Sequence, residues 1–348
     1  MKITQSKVAC VSDIHFGVHQ NADVWHTIGL DFAKWFKQQI VKENIKDIII
    51  AGDVFHNRNE ISVNTLHMVN EVFNLWKDFN ILIIPGNHDV FYKDRYDVHS
   101  LGLLDGWDNI TVIDEPTQIT AFNKTINFVP WAADFKKLPK SNILFGHLEI
   151  NNFKVTQTKT CEHGINSVDI LDYGDLIITG HFHFTEARKY SNGTILYLGC
   201  PYEMYWGDYG DKKGFYILDI ESQDYQFVEN NITPKHKKIR LTELIEAGGI
   251  SLFWENNIPN NIISFVVDKN VDPDKLSLIS TKLQSFKPLS YKIDYETTNT
   301  ISSELSGLDL GGIDIPNNIT EFVNLIDNVK YKQETIDYII DLYNTLNK

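Results

Sequence analysis

The stretch Leu82-Ile83-Ile84-Pro85-Gly86-Asn87-His88-Asp89 decides the fold. An apolar run stops at Pro-Gly, and an amide, an imidazole and a carboxylate follow with no spacer. The run reads as a buried strand, and Pro85-Gly86 as the turn that ends it. Asn87, His88 and Asp89 then stand at the strand's carboxyl end, the edge where open α/β sheets bind ligands. One such tip proves little, because Asn, His and Asp are ordinary turn residues. The same grammar recurs four more times. Residues 7–11 run into Asp13-Ile14-His15, and 48–51 into Gly52-Asp53-Val54-Phe55-His56. Residues 142–145 run into Gly146-His147, and 175–179 into Gly180-His181-Phe182-His183.

Between the first three tips the apolar spacing is helical. Val24, Ile28, Phe32, Trp35, Phe36 and Ile40 mark a helix over 23–43, and Leu66, Val69, Val72, Phe73 and Trp76 mark another over 61–79. The order β-α-β-α-β predicts parallel strands with right-handed crossovers, so all three tips reach one edge. Asp13 and His15, two apart at a strand end, fall on one side. From 107 to 131 short alternating stretches predict a second, more antiparallel set of strands. Further strands are expected over 195–198, 214–220 and 225–229.

Composition shifts after Asn230. The run Pro234-Lys235-His236-Lys237-Lys238-Ile239-Arg240 is basic and reads as a linker or hinge. A compact β-α-β unit follows, with strands over 262–267 and 289–295 and a helix over 273–286, where Pro273 suits the first turn. The polar, Gly-bearing stretch 296–318 reads as a flexible linker. Two amphipathic helices are expected in 319–348, marked by Phe322, Val323 and Ile326 and then by Ile336, Ile339, Ile340 and Tyr343. The domain expectation is therefore 1–230, a small α/β unit at 231–296, a linker at 297–318 and a helical tail at 319–348.

The 348 residues carry a net charge of −14, which argues against broad non-specific nucleic-acid binding through a basic face. A local groove, or a metal-dependent grip on phosphate, is compatible with that charge. The three cysteines, Cys10, Cys161 and Cys200, form no CxxC pair and no disulfide framework, which favours a reducing intracellular setting. The first residues lack the apolar region of a signal peptide, and no apolar run approaches the roughly 20 residues of a membrane span. A cytoplasmic protein without a membrane partner is expected.

The strand tips collect Asp13, His15, Asp53, Asn87, His88, His147, His181 and His183. Carboxylate, imidazole and amide oxygen without thiolate suit Mn²⁺, Fe²⁺ or Zn²⁺ rather than Ca²⁺ or a structural zinc. With His88 set aside, seven candidate ligands are too many for one ion and fit two that share a carboxylate. Such a pair clamps a phosphoryl group and lowers the pKa of a water from about 15.7 to roughly 7.

In this order the five motifs resemble those of calcineurin-like metallophosphoesterases. Gly52-Asp53-Val54-Phe55-His56, Arg58 and the downstream β-α-β unit look like the SbcD-type nuclease subunits of DNA double-strand-break repair complexes. Val129-Pro130-Trp131, the compact length and Gly180-His181-Phe182-His183-Phe184 are most similar to the phage version of that subunit. The resemblance implies a four-layer αββα sandwich with a small α/β capping domain and a helical C-terminal tail. It implies one metal on Asp13, His15, Asp53 and His183 and a second on Asp53, Asn87, His147 and His181. Catalytic roles follow for His88, which stabilises the phosphate or protonates the leaving oxygen, for Asp89 as its orienting partner, and for His56 near the scissile phosphate. Mn²⁺ is the implied metal, with Mg²⁺ or Fe²⁺ as substitutes. The implied activities are 3'-5' exonuclease action on duplex DNA ends and endonuclease action on single strands. The implied partners are an SbcC-type coiled-coil ATPase on the tail and a second copy of the chain through the helices at 61–79 and 96–104. If the chain is phage-encoded, it works in the host cytoplasm.

Two rivals stand beside this reading. A phosphatase or small-molecule phosphodiesterase of the same superfamily has no need of the cap and tail. A metal-dead interaction scaffold has no reason to keep all seven ligands. The aromatic run Tyr202, Tyr205, Trp206 and Tyr209 reads either as a packed loop or as a wall that stacks bases.

Overall fold

A computed structural model describes residues 2–248, 252–296, 320, 323 and 331–346. Met1–Glu296 and Thr297–Lys348 are two separate units. The first four strands are β1 (Lys7–Val11), β2 (Asp47–Ile50), β3 (Asn80–Ile83) and β4 (Ile110–Val112). Then come β5 (Thr117–Ala121), β6 (Lys124–Val129), β7 (Ser141–His147), β8 (Gly174–Gly180), β9 (Glu186–Tyr190) and β10 (Gly193–Tyr197). The rest are β11 (Gly214–Asp219), β12 (Tyr225–Glu229), β13 (His236–Arg240), β14 (Ile262–Val267) and β15 (Ser290–Tyr295).

The first sheet runs β12-β11-β1-β2-β3-β4, with β1 to β4 parallel and the other two antiparallel. The second runs β5-β6-β7-β8-β10-β9. Its central pairs β6-β7, β7-β8 and β8-β10 are parallel, so the antiparallel expectation holds only for the outer pairs β5-β6 and β10-β9. Burial on both faces explains the difference: parallel strands read as continuous apolar runs, as 143–145 and 176–178 do. β4, expected with the second set, pairs with β3 instead.

Alternation along each strand builds the layers. In β2, Ile48 and Ile50 join Phe32, Phe36 and Ile40 of the helix Asp23–Lys42 and Val69, Val72 and Phe73 of the helix Val63–Leu75. Ile49 faces the other way and meets Ile143, Phe145 and Ile178 of the second sheet. On that sheet's outer face, Leu144, Ile177 and Ile195 pack on Ile170 and Leu171 of the short helix Ser167–Leu171. The order is helix, sheet, sheet, helix. Each fully buried Ile or Phe contributes about 1.5–3 kcal/mol of transfer free energy. Trp76 is wholly buried, and its indole N–H donates to the Ala33 carbonyl at 3.1 Å.

The basic run at 234–240 is not a free linker. His236–Arg240 is β13, paired in parallel with β14, and β15 completes a three-stranded sheet. The reason lies inside the charge: Ile239 on one face enters this sheet's core with Phe265 and Leu283, while His236, three residues away and so on the other face, is buried against Glu203. The helices Leu241–Glu246 and Leu252–Asn257 then carry the chain to β14. The helix Pro273–Ser285 joins β14 to β15, with the Asp272 carboxylate capping its first turn. The expected helix at 96–104 shrinks to a 3-10 turn, Ser100–Leu104.

In the second unit the helix Lys332–Leu346 is present, with Ile336 buried and Tyr338 exposed. The expected linker at 297–318 and, but for Thr320 and Val323, the first tail helix lie outside the described residues. Among the described residues no helix is long and apolar enough to cross a membrane.

Candidate active site

The tips of β1, β2, β7 and β8 and the turn after β3 meet at one edge of the sandwich. Directly after β1 and β2 the backbone leaves the pleat. Asp13 (φ 54°), His15 (φ 51°) and Asp53 (φ 54°) take left-handed conformations, as does His181 (φ 93°) after β8. Such residues cost of order 1–3 kcal/mol each and persist only where neighbours over-determine them. Here cross-loop bonds do so: the amides of Asp13, His15 and Phe16 donate to the carbonyls of Gly52, Asp53 and Val54 at 3.0, 3.0 and 2.8 Å. Asp13 and His15 share a side, as their spacing predicts, through alternating left-handed residues rather than through a strand pleat.

Glycines let the two sheets close on this edge. A Cβ on Gly52 (φ 92°) would lie 2.3 Å from His147 Nδ1, and one on Gly180 would lie 1.9 Å from Ser12 Oγ. Both contacts are far inside van der Waals distance, so only glycine fits.

The side chains converge by oxygen and nitrogen lone pairs. Asp53 Oδ1 accepts from the His88 amide at 2.8 Å, and its Oδ2 lies 3.5 Å from His15 Nε2 and 3.4 Å from His147 Nε2. Asp13 accepts from the His181 amide at 3.1 and 3.2 Å. Asn87 Oδ1 sits 2.9 Å from His147 Nε2 and 2.7 Å from His181 Nδ1. His15 Nε2 and His183 Nε2 are 3.0 Å apart. His147 Nδ1 donates to the Ala51 carbonyl at 2.8 Å, which leaves Nε2 bare in the neutral ring. That lone pair then faces the oxygens of Asp53 and Asn87, an arrangement only a proton or a cation relieves. The donor set therefore fits divalent metal, and sets such as Asp13–His15–His183 and Asp13–Asp53–His147 have ligand atoms within 4.8 Å of one another.

The electrostatics agree. Burial opposes charge on His147, yet the Asp53 carboxylate beside it wins and holds the ring up at about 9. Burial works against the Asp53 carboxylate too, and His147 still drives it far below the usual range. Burial raises Asp13 to about 7. Burial lowers His181 to about 3 and His183 to about 4, so both rings offer lone pairs at neutral pH.

His88 stands beside the ligands. Its Nδ1 donates to the His56 carbonyl at 2.5 Å, and its ring stacks on the His56 ring at 5.3 Å. The orienting contact expected of Asp89 is thus made by the His56 backbone. The buried Asp89 carboxylate instead accepts from the amides of Gly86, Phe55 and Val54 at 2.9, 3.0 and 3.3 Å, tying the β2 and β3 tips together. Asp89 is a positioning residue here. His56 Nε2 faces the Tyr205 hydroxyl at 3.4 Å, which puts one member of the aromatic run at the site. Tyr202 is buried, its hydroxyl donating to the Ile14 carbonyl, and Trp206 packs on His236.

Two residues, Lys213 and Asp208, escaped sequence reasoning, and Trp131 entered it only through the family resemblance. Trp131 lays its ring 4.9 Å from that of His181. Lys213, only 3 % exposed, donates to the His183 carbonyl at 2.6 Å, to Asp211 at 3.0 Å and to Asp208 at 3.2 Å. Asp208 Oδ1 in turn lies 3.8 Å from His183 Nδ1. The available signal was Lys213 and its acids in an otherwise aromatic, Gly-rich loop. His99, outside the motifs, faces Asp114.

The chain is similar to several nuclease proteins. Exonuclease subunit 1 of Enterobacteria phage T4 is 26 % identical over 97 % of this chain and 98 % of its own length. A nuclease SbcCD subunit of Staphylococcus epidermidis is 24 % identical over 61 % of this chain and 64 % of its own. The DNA double-strand break repair protein Mre11 of Archaeoglobus fulgidus is 36 % identical over 28 % of this chain and 23 % of its own. The calcineurin-like phosphoesterase family matches residues 6–185, more than half of the chain and all five strand tips. With two packed sheets and a divalent-metal ligand set at their shared edge, the chain belongs to the calcineurin-like phosphoesterase family.

Proposed function

We propose that this chain is a two-metal DNA nuclease, the catalytic subunit of a recombination and double-strand-break repair complex. The observation that carries the reading is likeness to an exonuclease subunit along 97 % of the chain. The activities are 3'-5' exonuclease action on duplex ends and endonuclease action on single strands. Mn²⁺ fits the mixed nitrogen and oxygen donors, with Mg²⁺ or Fe²⁺ as substitutes. Asp13, His15, Asp53 and His183 would hold one ion, and Asp53, Asn87, His147 and His181 the other.

Ions so held supply an activated water at neutral pH and neutralise charge on phosphate. The protein does the rest. The Ala51 carbonyl fixes His147 with Nε2 toward the ligand oxygens. His88 Nδ1–H donates to the His56 carbonyl, so a proton on Nε2 makes the ring an imidazolium, which would stabilise the phosphate or give that proton to the leaving oxygen and end as the neutral Nδ1–H ring. The His56 ring and Tyr205 hydroxyl face each other beside His88, where this reading puts the leaving group. In this reading residues 231–296 cap the DNA, 297–318 link, and 319–348 dock an SbcC-type coiled-coil ATPase. The nuclease unit pairs with a second copy through its helices. The ATPase supplies much of the DNA grip that a charge of −14 withholds. The complex works in the cytoplasm.

The test is Mn²⁺-dependent release of nucleotides from linear duplex DNA, beside cleavage of a small aryl phosphodiester. Release from duplex supports the nuclease. Cleavage of the small ester with intact DNA would leave a small-molecule phosphodiesterase. Removal of residues 297–348 should spare the ester and abolish binding of the ATPase partner.

A further inference from the structure

Glu149, Cys161 and His163, none of them in the strand-tip set, converge on the excursion between β7 and β8. The backbone that presents them is braced. Ile165 donates to the Glu149 carbonyl at 2.8 Å, Cys161 to that of Phe153 at 2.8 Å, and Asn152 to that of Cys161 at 2.7 Å. Gly164 (φ 92°) brings the two arms together so closely that a Cβ there would lie 2.4 Å from the Glu149 carbonyl oxygen.

The three side chains form a triangle. Cys161 Sγ lies 3.1 Å from His163 Nδ1 and 3.6 Å from Glu149 Oε1, and His163 Nδ1 lies 3.3 Å from the same oxygen. Tetrahedral zinc with ordinary Zn–S, Zn–N and Zn–O lengths separates these atom pairs by about 3.6, 3.6 and 3.4 Å, in the same order. The observed edges therefore need at most about half an ångström of movement. The mobile corner is the His163 side chain, 81 % exposed, while Cys161 is buried. Thiolate, imidazole and carboxylate together are a borderline-soft set that favours zinc over the hard cations suited to the strand-tip site.

We propose that Glu149, Cys161 and His163 form a second metal site of zinc-class chemistry, separate from the catalytic pair, with its fourth position open to solvent. Binding joins the thiolate sulfur, the imidazole nitrogen and a carboxylate oxygen to the cation, and the thiol proton leaves to water. The site clips together the two arms of the excursion and so braces the chain just after His147. It rests on ligands that the nuclease reading does not use.

Titration of the full reduced chain with Co²⁺ tests this, because a thiolate–cobalt bond gives a near-ultraviolet charge-transfer band that nitrogen and oxygen ligands do not. Wild type should develop the band, and Zn²⁺ should abolish it by displacement. Cys161→Ser should lack it, while Cys200→Ser should keep it. His163→Ala, which changes an exposed ring, should raise the Co²⁺ needed for half the band by roughly tenfold or more, a readout that stands even if Cys161→Ser misfolds. Absence of the band in wild type, its survival in Cys161→Ser, indifference to His163→Ala or resistance to Zn²⁺ would each overturn the site. Visible cobalt bands from the strand-tip ligands should persist in every variant.

Discussion

The two large sheets share an edge and bring opposite chemistry to it. From the first come both carboxylates and the amide, Asp13, Asp53 and Asn87, with His15 and His88 beside them. The second adds only imidazoles, those of His147, His181 and His183. Its backbone also reaches across, since the His181 amide donates to Asp13, while the first sheet's Ala51 carbonyl receives the His147 ring proton. Among the described residues the sets Asp13–His15–His183 and Asp13–Asp53–His147 each draw on both sheets. A carboxylate-bearing half and an imidazole half become one when glycines allow contact, with His147 held up at about 9 by Asp53 while His181 and His183 carry lone pairs at neutral pH, so catalytic competence here is a property of sheet docking.

Breaking the anionic half should have the largest effect. Asp53→Ala removes the carboxylate that touches both sheets, and duplex hydrolysis in Mn²⁺ should fall on the order of 10⁴-fold or more. Metal content by elemental analysis should fall with it. His88→Ala should cost ~10²–10⁴-fold in kcat, the range for a positioned acid or base. Bound metal should stay at the wild-type level, which separates a catalytic role from a ligand role. Equal loss of metal in both variants would erase that distinction.

Lys213→Met tests the support under the imidazole half. It strands Asp208 and Asp211 in a buried pocket, and urea unfolding should show a loss of about 3–5 kcal/mol. The pH dependence has a defined sign. In the wild type burial opposes the Asp208 charge, but Lys213 holds its carboxyl below the usual range. Its contribution is therefore present above about pH 3.9 and lost as pH falls through the folded value. Without Lys213, burial dominates, the folded value rises above the unfolded one, and acid protonation relieves the variant. The stability gap should narrow between neutral pH and about pH 4. Smallest is Gly180→Ala at the seam, where overpacking should cost about 1–3 kcal/mol.

Much of this was legible in the residues because its causes are local. Strand runs, the 3.6-residue spacing of Phe32, Phe36 and Ile40, and polar tips at strand ends declare both the layers and the side chains that converge at their edge. Pairing direction in the second sheet was not legible, because a short buried run such as 143–145 looks the same in either orientation. β13 hid because its two buried residues, His236 and Ile239, stand three apart among Lys and Arg and so show no strand alternation. Asp89 was legible as a member of the site but not in its task, since three backbone amides leave no trace in a sequence. Asp208 and Lys213 were missed for a related reason: a buried ion pair is defined by what folds over it.

The hydrogen bond from His181 to Asp13 joins residues 168 positions apart. A growing chain that has not yet released β8 therefore holds both carboxylates and neither His181 nor His183. Until β8 is made the edge lacks those two imidazoles, and closing contacts of such long range is the slow part of folding. The order of the chain thus delays the complete donor set.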